Sequence, residues 1–188
     1  MSKQTTKRPP LNERKLAFID SETTGLSADK HEIIEIAALI YDPASGEVEK
    51  EWSTKVAPSH IETANEKALQ INGYINNPSA YSGKLKSALI KFNSMTQDCI
   101  IVGQNVSFDL SFIYKAMKEL DIKPLFDRRF LDLMSLVWFQ VKDSDIPNLK
   151  LESLCDYFGA CNVGAHTALV DCRRTYEVYR KLEKIYKS

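Results

Sequence analysis

The stretch Lys15-Leu16-Ala17-Phe18-Ile19-Asp20-Ser21-Glu22-Thr23-Thr24-Gly25-Leu26 constrains this chain more than any other. Four consecutive apolar residues, Leu16 to Ile19, suit a strand buried on both faces and leave no room for a helix before Gly25. Side chains alternate across a strand, so Asp20 and Glu22 project to the same side. Two carboxylates held together at the end of an apolar strand repel each other, and a divalent cation relieves that repulsion. Taken alone, a D-x-E pair reads more simply as two solvated turn residues ahead of Gly25. What changes the reading lies downstream.

Ile33 to Tyr41 predicts a second strand, apolar except at Glu35, and Pro43 to Gly46 a turn. Glu47 to Val56 alternates, with Val48, Trp52 and Val56 on one face and three glutamates on the other. So short a turn makes this third strand antiparallel to the second. Glu62 to Ile71 predicts one helix, broken by Gly73. Leu85, Ala88, Leu89, Phe92 and Met95 keep the spacing of an amphipathic helix. Cys99 to Val102 is a short apolar strand that stops at Gly103. The helix after it carries the stripe Val106, Asp109, Ile113, Ala116, Met117 and Leu120. Asn105 suits its N-cap or a substrate contact. Arg129 to Leu133 predicts a last strand, followed by a short helix through Val137 and Phe139. Leu151 to Phe158 is a helix that Gly159 ends, and a long final helix buries Leu169, Cys172, Tyr176, Tyr179 and Leu182. Strands, then helices, then strand–helix alternation indicate an α/β domain, a mixed sheet of about five strands with helices on both faces.

Within that plan Asp109 is out of place. It shares the helical phase of its apolar neighbours and so faces inward, where an unpartnered carboxylate is costly. A cation or a backbone donor must meet it there. Asp171 falls in the first turns of the final helix, and His166 lies just ahead, able to reach sideways over the helix start.

Composition excludes several classes. The 188 residues suffice for one domain with a real core. Apolar residues at 44% and charged residues at 27% are those of a soluble globular protein. No apolar run approaches the roughly 18 residues of a membrane span, and the polar start has no signal-peptide core. Lys and Arg balance Asp and Glu at 25 each, so affinity for a phosphate backbone must be local. Cys99, Cys155, Cys161 and Cys172 show no C-x-x-C spacing, which fits thiols in the reducing cytoplasm better than zinc or disulfides. Residues 1–14, with Lys3, Lys7, Arg8, Arg14 and Pro9-Pro10, read as a flexible basic tail ahead of a single domain over residues 15–188.

Three motifs in order, D-S-E-T-T-G-L (Asp20 to Leu26), V-G-Q-N-V-S-F-D (Val102 to Asp109) and H-T-A-L-V-D (His166 to Asp171), resemble the histidine-type DEDD (DnaQ-like) exonucleases. That family includes the proofreading subunit of bacterial replicative DNA polymerase and ribonuclease T. Ile33 to Ala38 and Leu151 to Leu154 add weaker matches, and the resemblance spans about residues 15 to 185. It implies a ribonuclease H-like fold and removal of nucleotides from the 3′ end of single-stranded DNA or RNA with two divalent cations, Mg²⁺ or Mn²⁺. Carried over by motif, Asp20 would bridge the two metals, Glu22 and Asp171 would complete the nucleophile-side site, and Asp109 would serve the second ion. His166 would take the proton of the attacking water; an imidazole of pKa about 6.5 suits that task. Thr23, Thr24, Leu26, Asn105, Phe108 and Tyr74 would meet the terminal nucleotide.

The chain departs from the family pattern at Gln104, where members usually have His, and at Asn72-Gly73-Tyr74, where many have H-G-I. Both changes bear on substrate preference rather than on chemistry. Only 17 residues follow Asp171, without the extension a polymerase-tethered proofreader uses. A free-standing enzyme or an excised domain is the expectation, with a DNA polymerase as a possible partner. Two alternatives compete with the nuclease: a binding module of the same fold that has lost turnover, and a metal phosphohydrolase acting on free nucleotides.

Overall fold

The computed structural model describes residues 9–161 and 167–187. Five strands form one mixed sheet: β1 (Leu16–Thr23), β2 (Ile33–Asp42), β3 (Glu47–Lys55), β4 (Ile100–Gly103) and β5 (Phe130–Asp132), in the order β3-β2-β1-β4-β5. β2 runs antiparallel to β1 and β3, whereas β4 is parallel to β1 and β5 to β4. The C-terminal ends of β1, β4 and β5 therefore open at one edge of the sheet. β1 runs on past its apolar core because Asp20, Ser21 and Glu22 pair with Ala37, Ile36 and Glu35 of β2. That pairing extends the strand through the acids and fixes which side each one faces.

Helices cover both faces, as expected. On one, α2 (Leu85–Met95) and α3 (Val106–Glu119) close over Ala17, Ile19, Ile36, Ala38, Ile40 and Ile101. On the other, α6 (Ala168–Lys187) packs on Leu16, Phe18, Leu39 and Tyr41. Phe18 is fully buried there, edge-on to Tyr176 and Tyr179 at ring separations of 5.4 and 5.3 Å. A third apolar cluster joins α4 (Leu133–Val141) and α5 (Leu151–Phe158) to α6 through Val137, Leu154, Val178 and Leu182. α6 thus turns one stripe to the sheet and a second to α4 and α5, which is why Val178 is buried although it falls outside the expected stripe. None of the described helices is long and apolar enough to cross a membrane.

Several expectations are corrected. Val48 and Trp52 do not share a face: the β2–β3 register shifts between Ile40 and Tyr41, so Trp52 opposes Ala38 while Val48 opposes Tyr41. One extra β3 residue, Glu49, is accommodated as a bulge, and every side chain beyond it changes side. The helix expected over residues 62–71 is two pieces, a 3-10 turn at Ile61–Thr63 and α1 (Glu66–Ile71). Asn65 separates them by capping α1, its side chain accepting from the Ala68 amide at 3.1 Å. Within the basic segment, Leu11–Glu13 forms a 3-10 turn, and Arg14 is tied at 2.6 Å to Asp127, a buried carboxylate. Asn105 occupies the N-cap position of α3 in a left-handed conformation, but its side chain makes no cap hydrogen bond. Asp132, at the end of β5, takes over. One of its oxygens accepts from the Val106 amide and the other from Met134, both at 2.9 Å, so one carboxylate caps α3 and α4 together.

Candidate active site

The sheet order brings the acids together. Asp20 and Glu22 leave β1 on the face that α6 covers, and Asp171 enters from the first turn of α6. Oxygens of these three carboxylates lie within 4.8 Å of one another. Ser21, between the two β1 acids, points to the opposite face and donates to Asp109 of α3 at 2.6 Å. Asp109 is buried, and its charge bears on Asp20 more strongly than that of any other neighbour. The inward phase of α3 called for a cation or a backbone donor; the partner found is this side-chain hydroxyl, joined by backbone hydrogen bonds at Ser21 and Asp109.

Such crowding has a proton signature. Burial, then Asp109, Glu22 and Asp171, push the Asp20 carboxyl well above its ordinary range. Burial, reinforced by Asp171, Glu35 and Asp109, raises Glu22 to about 7. Burial also raises Asp109 to about 7, against the opposing hydrogen bonds from Ser21. Acids this close, out of bulk water and short of counter-charge, define an oxygen-rich cation site: hard divalent ions take carboxylate ligands. Asp20, Glu22 and Asp171 fit that donor set.

Further residues frame the cluster. Glu35 opposes Glu22 across β1 and β2, is buried, and accepts from the Ala168 amide at the start of α6. Arg174, one turn beyond Asp171, donates to it at 2.7 Å with both side chains largely buried. Sequence reading missed Ser21 and Arg174. Ser21 was findable as the alternate residue of a strand that continues past its acids, and Arg174 as the cation at i+3 from Asp171. Asn72 is also buried, and its amide donates to the Thr23 carbonyl at 3.1 Å. The Asn72-Gly73-Tyr74 departure therefore lies against the end of β1.

The remaining candidates are placed as follows. Thr23 and Thr24 are buried: Thr23 donates its hydroxyl to the Gly25 carbonyl, while the amide and hydroxyl of Thr24 both bond to Glu32. Leu26 is 85% exposed, which excludes core packing as its role. Asn105 is exposed beside the start of α3, and Phe108 is half-buried against Phe112. Tyr74 packs on Tyr81 with ring centroids 4.8 Å apart. Gln104 donates to the Leu149 carbonyl at 2.5 Å, bracing the loop before α5. His166 lies outside the described residues.

An acid cluster at the mouth of a mixed α/β sheet defines a candidate metal-dependent hydrolase, and comparison with known proteins makes the class specific. Residues 17–179 match the RNase_T family model, described as an exonuclease, and the chain belongs to that family. Over 178 residues, or 93% of this chain, it is 28% identical to the DNA polymerase III subunit epsilon of Aquifex aeolicus, covering 83% of that protein. It is 30% identical to the PolC-type DNA polymerase III of Latilactobacillus sakei over 174 residues, but spans only 12% of that polymerase's length. E. coli exonuclease I, solved with single-stranded DNA, shares the fold: 92% of this chain superimposes on 41% of that one with a TM-score of 0.77 at 19% identity. The ribonuclease H-like architecture expected from the motifs is the one found.

Proposed function

We propose that this protein is a metal-dependent 3′–5′ exonuclease that releases nucleoside monophosphates from single-stranded nucleic acid. The observation that carries the reading is the convergence of Asp20, Glu22 and Asp171 within 4.8 Å in a chain of an exonuclease family. The relatives' names favour DNA as the substrate and a DNA polymerase as a partner. Asp20, central to the cluster, would hold both divalent cations, Mg²⁺ or Mn²⁺; Glu22 and Asp171 would complete one site, and Asp109 would serve the other. When bound, the cations supply charge stabilisation at the phosphoryl and leaving oxygens.

The chain's own residues do the rest. The carboxylates must be ionised to bind, and the raised values at Glu22 and Asp109 mean that cation binding expels protons near neutral pH. Ser21 holds one oxygen of Asp109, and Arg174 one oxygen of Asp171. His166, two positions before α6 in the sequence, takes a proton from the attacking water as general base. Exposed Leu26 and half-buried Tyr74 and Phe108 offer apolar faces to the terminal base, with Asn105 as a polar contact and Thr23 and Thr24 shaping the loop that presents Leu26.

The test is digestion of a 3′-labelled oligonucleotide with Mg²⁺ or Mn²⁺. Mononucleotides should appear from the free 3′ end, and a 3′ phosphate should block their release. Asp20→Asn should abolish both the release and the rise in melting temperature on adding metal. Near-normal turnover by Asp20→Asn, or equal degradation of blocked and free oligomers, would defeat the proposal.

A further inference from the structure

A cation stands at the rim of the acid cluster. Glu22 opposes Glu35 across β1 and β2, and Glu35 opposes Lys55 across β2 and β3. Directly opposed residues of antiparallel strands project to the same face, so Glu22, Glu35 and Lys55 form one row on the side that α6 covers. Two strand spacings put the lysine backbone roughly 10 Å from that of Glu22. Among the charges acting on Glu22, Lys55 opposes the surrounding acids.

The side chain is held in place. Its ammonium lies 4.5 Å from the centre of the Tyr81 ring and 3.4 Å from the Tyr81 hydroxyl. That hydroxyl donates to the Asn72 carbonyl at 3.0 Å, and the Asn72 amide donates to the carbonyl of Thr23, the residue after Glu22. A buried chain of contacts thus ties Lys55 to the end of β1. Among the described residues the ammonium forms no ion pair, although carboxylates crowd the adjoining face. A lysine kept over an aromatic ring, half-buried and unpaired, has lost much of its rotamer freedom before any anion arrives.

We propose that Lys55 binds a backbone phosphate of the substrate strand, anchoring the polymer beside the acids; this rests on the nuclease reading above. The acid cluster repels a polyanion, and a chain of zero formal net charge has no global attraction to offset that. A fixed cation at the rim supplies the local attraction. Tyr74, packed at a tilt against the ring that holds Lys55, places an aromatic surface along the same wall.

The experiment compares wild type, Lys55→Met and Lys55→Arg. Wild-type release of mononucleotides is established first, so that failure of the nuclease reading is seen independently of Lys55. Binding of a fluorescent single-stranded oligonucleotide is then measured without metal across a salt series, and turnover with metal. A charge-assisted contact is typically worth 1.5–3 kcal/mol, so Lys55→Met should weaken binding and raise KM by roughly tenfold or more. Its kcat should stay within about twofold. The slope of log affinity against log salt should fall by about 0.7, one single-strand phosphate contact. Lys55→Arg, which keeps the charge, should restore both affinity and slope and leave the rise in melting temperature produced by metal unchanged. Unchanged affinity and slope in Lys55→Met would overturn the proposal, as would a loss that Lys55→Arg does not rescue. If Lys55→Met unfolds, the Lys55→Gln series decides by the same criteria.

Discussion

Glu22 should cost the metal-free protein stability, and removing its charge should return it. Burial and the neighbouring acids raise its carboxyl from an ordinary 4.5 to about 7. A carboxyl raised in the folded state holds its proton more tightly there than in the unfolded chain. Stability is therefore fully present below pH about 4.5 and lost as pH rises through about 7. That interval, at 1.36 kcal/mol per pH unit, amounts to roughly 3 kcal/mol of destabilisation at pH 8. Glu22→Gln carries no charge and escapes the penalty. Without metal at pH 8 it should melt above wild type, by roughly 6–12 °C for a domain of this size. At pH 4, where both side chains are neutral, the difference should vanish. Mg²⁺ at 1,000 times Kd should reverse the order, since it stabilises wild type by about 4.1 kcal/mol and the variant lacks a ligand. The assay is thermal denaturation by circular dichroism at pH 4, 6 and 8, with EDTA or with metal. A Glu22→Gln melting temperature at or below wild type at pH 8 in EDTA would refute the electrostatic reasoning.

Two other predictions test different parts of the molecule. His166→Ala should lower turnover by about 10²–10⁴-fold, the usual worth of a general base, and, with metal saturating at every pH, remove the acid limb of the pH–rate profile while leaving the metal-induced melting shift intact. Undiminished turnover at saturating metal would dismiss His166 as the base. Asp132→Ala should remove the caps of α3 and α4 at once, costing about 1–4 kcal/mol at 0.5–2 per cap. Chemical denaturation measures it, and Asp132→Asn, which keeps one carbonyl acceptor, should lose about half; a loss below 0.5 kcal/mol in Asp132→Ala would show that the caps matter little.

The sequence by itself determined the elements and most of the acids. β1, β2 and α2 announce themselves through apolar runs and periodicity, because strand and helix periods are local properties of the backbone. Asp109 was legible for the same reason: its helical phase turned a carboxylate inward and demanded a partner. Three ordered motifs carried the family, since chemistry needs particular side chains at strand ends and helix starts. The tertiary structure alone decided which groups answer one another. No local pattern says that Ser21 meets Asp109 88 residues away, or that Asp132 rather than Asn105 caps α3. These partners are set by sheet order, which places the ends of β1, β4 and β5 at one edge. The bulge that sends Val48 and Trp52 to opposite faces is equally invisible in an alternating sequence, because one extra residue reverses a period of two only once a partner strand fixes the register. Lys55 shows the limit most clearly. In the sequence it is one lysine near the end of an alternating stretch, and only cross-strand pairing sets it in a row with Glu35 and Glu22.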